Sequence, residues 1–117
     1  MLDIFKALAE ESRLRILNLL IQDEMCVCEI EESLDMTQSN VSRHLTALKQ
    51  SGILDSYKHA QWTYYKISEN FKQENLDLWL FLEKKLKDSP NYQIDIEECQ
   101  KCKRQDICST RSPYEDN

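Results

Sequence analysis

The chain has 117 residues, 41% of them hydrophobic, and carries fifteen Lys and Arg against twenty-one Asp and Glu, for a net charge of −6. That length fits one domain with a real core, and helical chains of this size often dimerise to complete it. No run approaches the roughly 18 apolar residues of a membrane span, and Met1 to Lys6 lacks the basic-then-apolar pattern of a signal peptide, so a cytoplasmic protein is expected.

In chain order, Leu2, Ile4, Phe5, Leu8 and Ala9 predict a short apolar helix over 2–9. Ser12 is placed to cap a second helix from Arg13 to Ile21, with Leu14, Leu17 and Ile21 in one stripe and Ile16 and Leu20 widening it. After a polar connection, a third helix runs from Cys26 or Val27 to Leu34, with Ile30 and Leu34 inward. Asp35-Met36 is a tight turn. Thr37 then caps a fourth helix that ends at Gln50 and is closed by Ser51 and Gly52, the only glycine in the chain. Two helices joined by a short turn make a helix-turn-helix.

The fourth helix carries the most chemistry. Val41, Leu45 and Leu48 fall on one side, while Ser39, Ser42, Arg43 and Thr46 fall on or near the other. That outer face is short, polar and cationic, as a major-groove reader needs: hydroxyls and Gln38 bond base edges or phosphates, and Arg43 forks onto guanine or a phosphate. An ordinary solvated amphipathic helix has the same pattern. The charge distribution favours DNA. Residues 23–35 hold Asp23, Glu24, Glu29, Glu31, Glu32 and Asp35 with no cation, whereas 37–67 hold Arg43, Lys49, Lys58 and Lys66 against Asp55 alone. Affinity follows the cations that meet phosphate, not the sum over the chain.

Ile53 to Tyr57 and Trp62 to Ile67 are rich in β-branched and aromatic residues and predict a hairpin around Lys58-His59-Ala60-Gln61, with Lys58 and His59 near its tip beside a phosphate. Ser68-Glu69-Asn70 breaks to a last helix, Phe71 to Leu86, whose Leu76, Trp79, Leu80, Leu82 and Leu86 cover more than one face. The excess reads as a homodimer surface shared with the first helix. Residues 88–117 turn polar with little periodicity. The expected organisation is therefore a DNA-binding and dimerisation domain over 1–87 and a cysteine-containing tail over 88–117. The fold is mainly α with a small β-hairpin.

Five cysteines are an unlikely disulfide scaffold for a reducing compartment. Cys26 and Cys28 stand together, then nothing until Cys99, Cys102 and Cys108, a grouping that points to a soft ion or to redox chemistry. On an ideal helix, residues i and i+2 point about 200° apart, so Cys26 and Cys28 reach one ion only if the helix start is bent or unwound. A third sulfur comes from the tail, within or across a dimer, or the tail trio forms its own site. Cys99 and Cys102 alone fit a zinc half-site or a redox pair. An oxidoreductase lacks the βαβ context such a pair needs, so no enzyme is expected. A helical interaction module without DNA binding is the other rival.

The order helix, helix-turn-helix, hairpin and terminal helix resembles the ArsR/SmtB winged helix-turn-helix repressors. Phe5 to Leu17, Gln38 to Leu45, Leu48 to Gly52 and Tyr64-Tyr65 carry the likeness, over about residues 1–87. The resemblance implies a homodimer on double-stranded operator DNA, with Gln38, Ser39, Ser42, Arg43, His44, Thr46 and Lys49 facing the groove and Lys58 and His59 on the wing. Glu24-Met25-Cys26-Val27-Cys28-Glu29 looks like the motif of the arsenic-responsive branch, which implies arsenite or antimonite as inducer. Zinc, another divalent soft metal or the redox state are the alternatives. Glu31 stands where that motif usually has a third cysteine, and Ala60 and Gln61 replace the usual glycine and basic residue of the wing tip. Asp77-Leu78-Trp79 does not match the Asp-x-His of a zinc sensor, and no cysteine precedes Cys26, unlike in the cadmium and lead sensors.

Overall fold

A computed structural model describes residues 2–105. The described chain runs α1 (Leu2–Leu8), α2 (Glu11–Gln22), β1 (Met25–Cys26), α3 (Val27–Leu34), α4 (Gln38–Gln50), β2 (Leu54–His59), β3 (Trp62–Ile67), α5 (Glu69–Glu74), α6 (Leu76–Lys87) and α7 (Pro90–Gln105). It is a winged helix-turn-helix in which α3 and α4 form the helical pair and β2 and β3 the wing. Ile16, Leu17, Leu19, Met25, Ile30, Val41, Leu45, Leu48, Ile53 and Leu54 are almost wholly buried, so α2, α3, α4 and the base of the sheet share one core.

The ends of α4 match their chemistry. Thr37 Oγ1 accepts from the Asn40 amide at 3.3 Å. At the other end Gly52 takes φ +86°, and the Gly52 and Ile53 amides donate to the Lys49 and Leu48 carbonyls at 3.0 and 3.1 Å. This paired closure needs a left-handed residue, which glycine supplies without steric cost.

Four expectations are corrected. α2 begins at Glu11, with Glu10 rather than Ser12 at its N-cap and no side-chain cap bond. The hairpin turn is only Ala60-Gln61, because strand pairing continues to His59↔Trp62 and takes in Lys58 and His59. The last helix of the expected domain breaks at Asn75 (φ −129°, ψ 46°) into α5 and α6. Most consequentially, the described part of the polar tail is a helix, α7, packed on α2 and α3.

Polar bonds reinforce the apolar stripe of Tyr92, Ile96 and Cys99 that packs α7 on the core. Arg15 donates twice to the Asp95 carboxylate at 3.0 Å, a bidentate pair, and its other contact is the Leu34 carbonyl at 3.5 Å. Asn18 donates to the Tyr92 carbonyl at 3.2 Å and Tyr92 to Glu11 at 2.9 Å. Burial and then Glu11 hold the Tyr92 phenol up at about 12.

A further strand, β1, went unforeseen because two residues are too few to show a period. It adds to the wing in the order β1-β3-β2, with Met25↔Tyr65 and Cys26↔Tyr64 in register. Paired residues share a face of the sheet and successive residues alternate. Met25 and Tyr65 therefore join the main core, while Cys26 and Tyr64 lie on the opposite face.

Candidate nucleic-acid interface and thiol site

The packing of α4 sorts its residues. Val41, His44, Leu45 and Leu48 are buried, while Ser39, Arg43, Thr46 and Lys49 are exposed and Gln38 and Ser42 half-buried. Gln38, Ser39, Ser42, Arg43, Thr46, Ala47 and Gln50 line one open groove together with Arg13 of α2. Arg13 escaped the sequence reading because it lies in the apolar stretch of α2. Lys49 donates to Ser56 of β2 at 2.6 Å, tying the recognition helix to the wing.

His44 is the residue the fold removes from the expected DNA-facing set. Its ring is 2% exposed and sits behind the outer surface. Arg13 Nε donates to Nδ1 at 3.2 Å, and Nε2 lies 3.4 Å from an Arg43 guanidinium nitrogen and 3.5 Å from Glu10 Oε1. Burial pushes its pKa below the ordinary imidazole value; Glu10 opposes that, and Arg43 and Arg13 add to it. His44 braces the Arg13–Glu10 pair (3.3 Å) against α4 and offers no nitrogen to a groove.

On the wing, Lys58 and His59 are exposed. Ala60 opens the two-residue turn at φ +57°, where a two-residue hairpin prefers glycine. The Tyr57 ring stacks on Tyr64 (5.7 Å, 15°), and His59 meets Tyr64 edge-on at 6.3 Å. Tyr57 also donates to Glu24, which raises its phenol pKa to about 12.

Beneath these rings lie the two motif cysteines. Cys26 and Cys28 are wholly buried and packed under Trp62 and Tyr64. Their sulfurs are 3.1 Å apart. The sulfurs come together because the helix start is not helical at Cys26, and α3 begins at Val27. Cys26 is the extended N-cap of α3 (φ −87°, ψ 167°) and the end of β1, so it turns its sulfur toward Cys28. Its backbone amide is held by the Glu29 carboxylate at 3.1 Å, half of a capping box. Two sulfurs at this separation, bonded to one centre at about 2.3 Å, subtend roughly 85°. That fits two edges of a pyramidal three-thiolate site.

Cys99 does not join them. It is buried against the Met25 thioether, Sγ to Sδ 3.7 Å, on the core face of β1. Cys102 lies on α7, and Cys108 lies outside the described residues. Among the described residues no group of three His, Cys, Asp or Glu side chains stands ready to hold a metal, and no helix is long and apolar enough to cross a membrane. Leu2 and Phe5 on α1 and Leu76, Leu80 and Phe81 on α6 are each half exposed or more, where the sequence predicts a dimer surface.

Comparison with known proteins gives a consistent result. The profile of bacterial regulatory proteins of the arsR family matches residues 10–56. The arsenic resistance transcriptional regulator ArsR1 of Pseudomonas putida is 38% identical over 71 residues, 60% of this chain and 56% of that protein. The cadmium resistance regulatory protein CadC of Listeria innocua is 42% identical over 73 residues, 62% of this chain and 60% of that protein. The match thus spans under two thirds of either relative. The homodimeric winged helix-turn-helix DNA-binding domain of Mb0332 from Mycobacterium bovis, a possible ArsR-family regulator, superposes with a TM-score of 0.61 at 31% identity, covering 69% of this chain and 75% of that one.

Proposed function

This chain belongs to the ArsR family of bacterial transcriptional regulators, and from that premise we propose that it is a homodimeric operator-binding repressor released by trivalent arsenic or antimony on the Cys26 and Cys28 thiolates. The observation that carries the sensing half is the buried sulfur pair, 3.1 Å apart beneath two aromatic rings of the wing. Arsenite and antimonite are soft centres that favour thiolates over carboxylates, and the ArsR1 relative is an arsenic resistance regulator.

In the DNA complex, Gln38, Ser39, Ser42, Arg43 and Thr46 enter the major groove, flanked by Arg13 and Lys49. Lys58 and His59 meet backbone phosphate. A second copy covers the exposed apolar residues of α1 and α6, which spaces the two recognition helices about one helical turn, roughly 34 Å, along the duplex.

Release follows from what the sulfur pair touches. Cys26 and Cys28 are fully buried with Trp62 and Tyr64 packed on them, so a ligand that binds both sulfurs displaces those rings. Tyr64 is the ring on which Tyr57 and His59 rest, so its movement reaches the wing tip directly. Cys26 also caps α3, so the same event loosens the helix that backs α4. Such couplings are typically 5- to 150-fold, and inducer and operator weaken each other equally.

A titration of arsenite into a complex with duplex from the protein's own promoter region, under reductant, tests this. The wild type releases DNA, and the Cys26→Ser/Cys28→Ser protein holds it throughout. Equal release by both would defeat the sensing claim. The short sulfur separation also favours a second reading, oxidation of the pair to a disulfide by a peroxide, in which the two thiols give up two electrons and two protons. Release by peroxide that reductant reverses, with no response to arsenite, selects it.

A further inference from the structure

A recognition helix lying in a major groove has a phosphate strand on either side of it, and the wing serves one of them. We propose that Arg13, with Lys6 of α1, grips the backbone phosphates of the other strand, and that the buried His44 is the positioning residue that aims Arg13 there. The inference rests on the operator-binding reading above and adds to it the second wall of the DNA seat.

The placement of α4 carries the argument. Residues two apart on a helix point about 200° apart. Lys49 meets the wing at Ser56, 2.6 Å away, whereas Ala47 borders the same clefts as Arg13. Arg13 therefore stands on the flank of α4 opposite the wing. It lies on the seam of two open clefts that also share Ala47 and Gln50. One runs along the outer face of α4 past Arg43. The other continues to Asp3 and Lys6 of α1. Arg43, Arg13 and Lys6 thus follow adjoining surfaces, with Asp3 and Glu10 as the carboxylates among them.

His44 fixes where the Arg13 guanidinium points. The ring is wholly buried, Nδ1 accepts from Arg13 Nε at 3.2 Å, and Nε2 lies 3.4 Å from Arg43. One rigid ring therefore spaces the cation that meets a base edge from the cation that meets phosphate. Arg13 also pairs with Glu10 at 3.3 Å, whose side chain is 41% exposed and swings to water when a phosphate takes its place. A guanidinium has five N–H donors, so these two partners leave donors for phosphate oxygens. Phosphate contacts set register without reading sequence, which separates the role of Arg13 from that of Arg43.

The test is DNA binding by the full-length protein, read as the anisotropy of labelled duplex from its own promoter region and of a scrambled duplex, over about 50 to 300 mM salt. Arg13→Gln weakens both duplexes by the same factor, roughly tenfold, and lowers the slope of log affinity against log salt by about two, since a dimer loses two contacts worth about 0.9 each. Lys6→Ala, at an exposed position where the fold is not at stake, lowers the slope in the same direction. His44→Leu loses slope as Arg13→Gln does, and His44→Asn, whose Oδ1 stands near the place of Nδ1, recovers it. Thermal melts certify the fold of each variant. A slope unchanged in Arg13→Gln or in Lys6→Ala overturns that residue's contact, and a loss confined to the operator marks a base contact and overturns the anchor. His44→Asn no better than His44→Leu overturns the positioning role. A wild type that binds neither duplex at low salt defeats the operator reading, and the anchor with it.

Discussion

Helices α4 and α7 are both polar in composition and both pack an apolar stripe on the core, yet they use their polar residues in opposite ways. α4 is fixed by apolar residues on one face and by caps at both ends, and it leaves its polar face outside. α7 turns polar groups inward: Asp95 is 4% exposed against Arg15, and the Tyr92 carbonyl accepts from Asn18, which is itself 1% exposed. A helix held by apolar packing has polar residues to spare for a ligand. A helix fastened through one carboxylate–guanidinium pair depends on that pair staying complete.

Breaking the contrast at α7 has the largest expected effect. Asp95→Ala strands the Arg15 guanidinium, which is held strongly protonated by that carboxylate. A loss of about 1–2 kcal/mol in chemical denaturation is expected, since the Asp95 carboxylate is buried but the Arg15 guanidinium is about a third exposed and rehydrates when its partner is removed. At α4 the matching change should spare stability and strike binding. Arg43→Ala is expected to leave the melting temperature within a degree or two, since surface changes rarely exceed about 0.5 kcal/mol. It should lower operator affinity by roughly ten- to a hundredfold, measured by anisotropy at fixed salt.

Smaller effects sharpen the picture. Ala60→Gly relieves a left-handed alanine at the wing turn and should stabilise the fold by about 0.5 kcal/mol, a sum of steric relief and added unfolded-chain entropy. His44 supplies the pH dependence. Its folded pKa lies below the ordinary value, mainly through burial, so the unfolded chain takes up the proton first. Its contribution is complete above about pH 6.5 and declines as pH falls toward the lowered value. Thermal melts from pH 7.5 to 5 should show that decline, and His44→Gln should flatten it.

The contrast also explains what could be read in the sequence. Thr37, Gly52 and the Val41, Leu45, Leu48 stripe announce α4 because local chemistry and apolar period agree there. The pattern of α7 is carried by Tyr92, Asp95 and Cys99, whose partners Asn18, Arg15 and Met25 lie more than seventy residues away, so no local window contains the reason it is a helix. The same holds for the thiol site. The two cysteines were legible as a motif, but the extended backbone at Cys26, which turns its sulfur toward Cys28, depends on pairing with Tyr64 across the chain. His44 reads as groove-facing in the sequence because it stands beside Arg43, on a helix whose inward side reaches one residue further than the aliphatic stripe suggests.

The central claim, that a ligand on the sulfur pair acts through the wing rings above it, is tested most directly by the emission of Trp62. In a Trp79→Phe protein Trp62 is the only tryptophan. Its fluorescence can then be recorded during an arsenite titration, together with the anisotropy of a labelled operator. The account predicts that Trp62 emission changes and operator is released at the same arsenite concentration, with both signals lost in Cys26→Ser/Cys28→Ser. Operator release with Trp62 emission unchanged would contradict it.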